Sequence, residues 1–277
     1  MSTKKMQLLS KTAATSRLFQ FCVGPEKQKF TIHAALCARQ SHAFEALVYG
    51  KFKEAAELYV EWDDIDEPTF ISFWEYVYTG DYDWPIEVAS GDVSTDGDKL
   101  LEKDADNNAV EKAAPAVEEP PQNDWITSCK PKKKKRVSKQ EMMWIDFKDS
   151  WCSELPTPVV NHGSQPSLTH GDILIHHAKV YILGDRYDMT RLMSLSYRNI
   201  HQALVLMDFC ERTHGDFIEL LRFCYKELVP DRLTRLAVHY ATCHVEALWK
   251  EKEFKQLVEE YSSLSTALIP SMMLRLN

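Results

Sequence analysis

Between residues 18 and 84, the spacing of apolar side chains switches repeatedly between the period of a strand and the period of a helix. The segments 18–23, 29–32 and 58–62 alternate apolar with polar side chains, which predicts three half-buried strands. GPEK at 24–27 predicts a turn between the first two strands. A chain that carries both periods over so short a distance is expected to form a small α+β unit, with strands on one side and helices on the other.

Three helices are predicted in the same region. HAALCARQ and SHAFEALVYG, which together span residues 33–50, predict two short helices, with Ser41 as the N-cap of the second. In DIDEPTFISFWEYVYTG the acids and the proline predict a helix start, and Gly80 predicts its end. Its apolar positions fall on one helical face, formed by Phe70, Phe73, Trp74 and Val77. We therefore expect Phe73 and Trp74 to be buried against the first helical pair.

A stretch of low hydrophobicity follows this unit. Residues 87–124 contain eleven acidic residues and three lysines, a net charge of −8, which equals the formal charge of the whole 277-residue chain. The remainder is neutral, so no overall field attracts DNA or a membrane. Few large apolar groups are present to offset the entropy of ordering, and we predict a disordered insertion over residues 87–140.

The acidic stretch leads into a basic one, KPKKKKRVSK at residues 130–139, with seven cations. It resembles a monopartite nuclear import signal, which binds in extended form to acidic pockets of the import receptor. The residues of this signal are Lys130, Pro131, Lys132, Lys133, Lys134, Lys135, Arg136 and Val137. The resemblance implies a nuclear protein, or one that shuttles between nucleus and cytoplasm. A solvated charge run and nonspecific contact with nucleic acid are the alternatives.

Composition and cysteine usage narrow the class of protein. No run of about 18 apolar residues is present, and the first twenty residues lack the apolar core of a secretion signal. The seven cysteines are odd in number and include no CxxC pair, so we expect reduced thiols in an intracellular protein. Phosphate-binding, dinucleotide-binding and nucleophile-elbow motifs are missing. We therefore expect neither an enzyme nor a cofactor.

Five residues near the C-terminus have metal-ligand spacing. Cys210 and His214 are four apart, as are His239 and Cys243, with His244 adjacent. On helices each pair would share a face, and four such ligands could hold zinc. Because cysteine is among the most buried residue types and Cys210 continues the apolar positions of HQALVLMDFC, we interpret these residues as buried and structural.

The segment EMMWIDFKDSW, residues 141–151, predicts a short amphipathic helix. Its apolar face contains Met143, Trp144, Phe147 and Trp151. We expect this face to dock on the chain's own domain rather than on a partner.

The order of residues in the first unit, FTIHAALCARQSHAFEALVYGKFKEA followed by YVEWDDIDEPTFISFWEYVYTGDY, resembles a BTB/POZ domain. The residues that carry the resemblance, over about 65 positions, are His33, Ser41, Phe44, Phe52, Lys53, Glu54, Ala55, Asp64, Asp66, Phe70, Tyr76, Tyr78, Thr79 and Gly80. Two residues depart from the family pattern. Ala34 replaces a basic residue, and the first strand lacks an acid at its head.

Two later segments extend the resemblance to fungal-type BTB proteins. HHAKVYILGDRYDMTRLMSLSYRNI resembles the last helical pair of the domain, and we interpret its His176 and His177 as structural. Residues after it resemble the helical tail of these proteins. The resemblance implies an N-terminal extension (1–17), a first BTB part (18–86), the insertion (87–140), a partly ordered segment (141–170), closing helices (171–200) and a helical C-terminal region (201–277).

The resemblance implies that the chain binds protein partners. It implies no catalysis, no specific binding of nucleic acid and no association with a membrane. Because the two family charges are missing, we expect at most a weak homodimer. A substrate adaptor of a cullin-type ubiquitin ligase is the alternative function. Such adaptors contact the cullin through a hydrophobic-x-Glu turn, which Phe52, Lys53 and Glu54 match.

Overall fold

The computed structural model describes residues 11–82, 138–150, 169–227 and 229–276. Residues 11–15 are helical, and the strands that follow are β1 (Leu18–Val23), β2 (Gln28–His33) and β3 (Tyr59–Trp62). The helices are α1 (Ala34–Ala38), α2 (His42–Tyr49), α3 (Lys53–Glu57), α4 (Glu67–Thr79), α5 (Lys139–Asp149), α6 (His170–Arg186), α7 (Thr190–Leu206), α8 (Glu211–Lys226), α9 (Asp231–Cys243), α10 (Val245–Leu248), α11 (Lys252–Glu260) and α12 (Ser262–Leu276). The described residues belong to one compact unit. The α+β class predicted from the sequence is confirmed.

The three strands form one sheet in the order β2-β1-β3. β1 pairs antiparallel with β2, where Phe21 lies opposite Phe30, and parallel with β3, where Phe21 lies opposite Val60. Phe19, Phe21 and Val23 are buried, as their alternation predicts. The central strand therefore anchors the aromatic core of this part of the protein.

Helices α1, α2 and α4 cover the sheet, and their ends follow the predicted capping. The Ser41 hydroxyl accepts a hydrogen bond from the Phe44 N–H at 3.2 Å, which caps α2. Gly80 ends α4 with φ of +83°, a left-handed conformation that favours glycine. The buried ring of Phe44 stacks on that of Phe73 with centroids 5.2 Å apart, and this contact joins α2 to α4.

The predicted burial of Trp74 is wrong. Its side chain is 39% exposed, whereas Phe73 is fully buried. The Trp74 Nε1–H donates a hydrogen bond to the Thr31 carbonyl of the edge strand β2 at 3.2 Å. One turn later, Tyr78 accepts from the His33 N–H at 3.2 Å. Trp74 lies at the border of the apolar face, where it covers main-chain groups of the sheet edge instead of entering the core.

Helix α6 contributes to two hydrophobic cores. Val180 and Leu183 pack into the core of the sheet and α1, α2 and α4, whereas Leu174 and Tyr181 pack into the core formed with α5 and α7 to α12. All four side chains are buried. A helix that is apolar on opposite sides needs cover on both, and α6 receives it from segments on either side of residues 83–137.

Helix α5 docks on the C-terminal helices, as predicted. Phe147 is fully buried, and Met143 and Trp144 pack against the same core. Gln140 donates to the Cys243 carbonyl at 3.1 Å, and the His201 Nε2–H donates to the Phe147 carbonyl at 2.8 Å. Trp151, the fourth residue of the predicted face, lies outside the described residues.

Two of the predicted segment boundaries fall inside helices. Helix α5 begins at Lys139, so the predicted end of the insertion at residue 140 is too late. The second closing helix, α7, continues to Leu206 and passes the predicted boundary at residue 200. The rest of the insertion lies outside the described residues.

The different environments of Phe73 and Trp74 predict different stability losses. Phe73→Ala should cost about 3–5 kcal/mol, because a fully buried aromatic ring is removed from the core. Trp74→Ala should cost well under half as much, because its side chain is 39% exposed and lies against the Thr31 carbonyl of the sheet edge and the Tyr78 ring. Urea denaturation of both variants measures the difference in unfolding free energy. Equal losses would contradict the assignment of Trp74 to the edge.

Candidate functional site

The two acidic residues of the Asp-x-Asp motif bind helix α6. Asp64 pairs with Arg186, and Asp66 pairs with Lys179, each with 2.6 Å between oxygen and nitrogen. Lys179 and Arg186 are seven residues apart and lie on one face of α6. Asp66 also caps α4 by accepting from the Thr69 N–H at 2.9 Å. The motif thus connects the start of α4 with a helix that lies more than a hundred residues later in the chain.

The ionisation of these carboxyl groups reflects their partners. The hydrogen bond from Arg186 holds the pKa of Asp64 below its usual value. Burial alone would raise the pKa of Asp66, but hydrogen bonds from Lys179 and Thr69 outweigh it and lower the pKa. Both groups are therefore charged at neutral pH. Because the pairs are partly exposed, they contribute little energy and mainly orient α6.

The other motif residues occupy caps, the core and the sheet edge. Phe70 and Tyr76 are buried in the core of the sheet region. His33, at the N-cap of α1, lies with its Nδ1 2.9 Å from the Tyr78 hydroxyl. The Thr79 hydroxyl donates to the Glu75 carbonyl at 2.8 Å near the end of α4. These contacts explain the motif residues by the stability of the fold rather than by binding.

The Phe52-Lys53-Glu54 turn differs from the rest of the motif because its apolar side chain faces solvent. Phe52 is the N-cap residue of α3 and is 63% exposed. Lys53 is exposed and pairs with Glu57 one turn later, at 3.7 Å, and Glu54 is half-buried. With most of its side chain in solvent, Phe52 does not cover the edge of the core. An exposed phenylalanine is available for contact with another protein, since aromatic side chains are enriched at protein interfaces.

Two adjacent histidines of α6 connect it to the end of the first unit. His176 Nε2 lies 2.9 Å from the Ser72 hydroxyl on α4, and His177 Nδ1 lies 2.9 Å from the hydroxyl of Tyr82, which follows α4. Burial lowers the pKa of His176 to about 4 and holds that of His177 well below its usual value. Both are therefore neutral at pH 7 and link the parts of the fold, as the structural interpretation predicted.

Acidic side chains lie beside two of the tail histidines, and an aromatic ring stacks on the third. His214 Nδ1 lies 2.9 Å from Glu251, His239 Nε2 lies 3.5 Å from Asp146, and His244 stacks on Phe209. Within the described ranges, no three His, Cys, Asp or Glu side chains are grouped so that they could hold a metal ion.

Cys243 is buried, but the interpretation of Cys210 as a continuation of the preceding apolar helix is wrong. Helix α7 ends at Leu206, and Cys210 is the half-buried N-cap of α8. Three residues separate the end of one helix from this cap, so the helical period counted along the sequence does not carry across.

Two further findings concern the location of the protein. The residues of the predicted import signal, 130–137, lie outside the described residues, and Ser138 is the first described residue after them. Among the residues that the structure places, no helix combines the length and the apolar character needed to cross a membrane.

No protein-family model matches the chain, and no curated protein matches its sequence. Inferences about its function therefore rest on the residue positions described above.

Sequence reasoning missed the α6 side of these contacts. Nothing in the sequence marks the cations Lys179 and Arg186 as partners of the two acids, or Ser72 and Tyr82 as partners of the histidines. The available signal was the spacing of seven between the two cations, which matches two helical turns. That spacing places them on one face but does not name the acids that face them.

The buried histidine His176 predicts a loss of stability in mild acid. Its pKa in the folded state, about 4, lies below the ordinary value of 6.5, so protonation favours the unfolded chain. Its contribution is complete above pH 6.5 and falls between pH 6.5 and 4, by up to about 1.4 kcal/mol per pH unit. Urea denaturation at several pH values measures this slope. His176→Gln removes one titrating group and should reduce the slope while leaving the part due to His177, whereas an unchanged slope would contradict the assignment.

Proposed function

We propose that the chain is a non-enzymatic protein–protein interaction protein of the BTB/POZ type that acts as a scaffold or regulator in the nucleus. The observation that supports this most is the position of the motif residues. His33, Ser41, Asp66 and Gly80 are at helix ends, and Phe44 is in the core beside the sheet. Each of these residues of a BTB-like motif has a position that stabilises the fold. The exposed turn at Phe52 is available to bind a partner.

The nuclear part of the proposal rests on the basic run. Residues 130–137 contain six cations and directly precede Ser138, the N-cap of α5. Helix α5 is docked on the C-terminal helices, so the run is joined at its C-terminal end to a folded surface. Its partner would be a nuclear import receptor. A weak homodimer is part of the same proposal.

The second candidate function is that of a substrate adaptor for a cullin-type ubiquitin ligase. The exposure of Phe52 at the start of α3 favours it, because an adaptor turn must present its hydrophobic residue to the cullin. Glu54, the acidic residue of the Phe52-Lys53-Glu54 motif, is half-buried and lies in the first helical turn of α3. Partner binding at this turn would be common to both functions, but only the adaptor requires a cullin as the partner.

The import proposal predicts a change of location. Replacing Lys133, Lys134 and Arg136 with alanine should move the protein from the nucleus to the cytoplasm, because the cations that bind the receptor's acidic pockets are lost. Fluorescence microscopy of the tagged chain measures the distribution.

A charge-matched control replaces Lys11, Lys29 and Lys51, which are exposed on the folded unit, and should leave the distribution unchanged. Residues 130–139 should also carry a large cytosolic reporter into the nucleus. A triple variant that stays nuclear but loses salt-sensitive binding to DNA or RNA would instead support nucleic-acid contact.

The adaptor function predicts that Phe52→Ala abolishes binding to a cullin. Stability should change by less than about 0.5 kcal/mol, because the side chain is exposed. Copurification of the full chain with candidate cullins, followed by a thermal melt of the variant, measures both quantities. Leu206→Ala, which removes a similarly exposed side chain (59%) from the end of α7, is the matched control. Cullin binding that survives Phe52→Ala, or that is absent from the wild type, would rule out this function.

A further inference from the structure

Ser138 is the residue at which the basic run meets the folded protein. Its backbone is extended, with φ of −66° and ψ of 154°, and its side chain is exposed. The Ser138 hydroxyl accepts a hydrogen bond from the Glu141 N–H at 3.1 Å, and the Glu141 carboxylate accepts one from the Ser138 N–H at 2.7 Å. This reciprocal capping box starts helix α5. The hydroxyl proton is not used in either bond.

The sequence before Ser138 has the charges that an acidic kinase groove selects. Arg136 is two residues before the serine, and Lys135 and Lys134 are three and four residues before it. Kinases that prefer basic substrates present carboxylates to cations at these positions, with the charge-assisted hydrogen bonds that guanidinium and ammonium groups form. The acceptor hydroxyl and its recognition sequence thus stand next to each other.

We propose that Ser138 is a phosphorylation site for such a kinase and that its phosphate weakens binding of the adjoining cations to the import receptor. The inference rests on the proposed import function, of which it names the regulation. ATP is the donor: Ser138 Oγ loses its proton to the catalytic aspartate of the kinase and forms a bond to the γ-phosphorus, and the bond from that phosphorus to the β–γ bridging oxygen breaks to release ADP.

The fold sets a condition on the reaction. A kinase groove that binds its substrate extended requires the first turn of α5, Lys139 to Glu141, to open. This turn is held by the capping box and by the hydrogen bond from Gln140 to the Cys243 carbonyl. The buried Phe147 lies further along α5 and holds the rest of the helix in place. Phosphorylation is therefore in competition with the cap, and a weaker cap should make it faster.

The phosphate changes charge more than it changes the fold. It adds about −1.5 to −2 charges next to the basic run, which compete with the acidic pockets of the receptor for the same cations. At the start of α5 the helix dipole favours negative charge, which offsets repulsion from the nearby Glu141 carboxylate. We expect α5 to stay docked in the phosphorylated protein, so that the effect is on receptor binding.

The first experiment tests the acceptor. The purified full chain is incubated with ATP and cyclic-AMP-dependent protein kinase as the probe, and phosphate is mapped by mass spectrometry of peptides. One phosphate on Ser138 is expected, and none at this position in Ser138→Asn, which keeps a good N-cap. Glu141→Ala should be phosphorylated several-fold faster than Glu141→Gln, because both remove the acid but only glutamine keeps the capping box. No phosphate on Ser138, or equal rates for the two Glu141 variants, would overturn the site or its gating.

The second experiment tests the consequence. Ser138→Asp and Ser138→Asn both keep the cap, and only the first adds charge. Binding of the full chain to a purified import receptor should be several-fold weaker for Ser138→Asp than for Ser138→Asn, and its nuclear fraction should fall. Equal binding by the two variants would overturn the regulatory inference. Failure of the import function itself would be seen separately, as a Lys133, Lys134 and Arg136 variant that stays nuclear.

Discussion

Burial of helix α6 from two opposite sides is the constraint on which the rest of the structure depends. The helix has apolar side chains around most of its circumference, from Leu174 to Leu183, and only a small part can face water. The sheet and α4 cover one side, and the C-terminal helices cover the other. Neither half alone would bury α6, so the two cores form one cooperative unit.

Polar contacts fix the rotation of α6 about its axis within its apolar surroundings. Apolar side chains tolerate small rotations of a helix, whereas the Asp66–Lys179 pair and the Ser72–His176 contact are satisfied at one rotation. The exposed pairs add little energy. The histidine contacts are buried, where an unpaired polar group is costly, and they discriminate more strongly against misplacement. These contacts fix the positions of the helices and the sheet relative to one another. The Phe52 turn and Ser138 therefore lie on a rigid unit.

Local features of the fold could be predicted from the sequence, and distant contacts could not. The alternation in β1, the Ser41 cap and the glycine end of α4 depend on neighbouring residues, and all three are confirmed. Burial of Trp74 was predicted from a helical face alone, which cannot tell the core from a sheet edge at the border of that face. The segment boundaries at residues 140 and 200 fall inside α5 and α7, because the extent of a helix depends on tertiary packing as well as on its local sequence. At the candidate site, the turn at Phe52 was found, but its exposure depends on what the fold leaves uncovered.

The side chains that cover the edge of strand β2 also matter while the protein is folding. Until α4 docks, the Thr31 carbonyl and the His33 N–H are open to a strand from another molecule. Trp74 and Tyr78 close this opening with side chains alone, without a further strand. Loss of the indole would therefore change the free energy of unfolding less than it changes the yield of monomer during synthesis. At that stage partly folded chains are at high concentration and aggregate through unpaired edges.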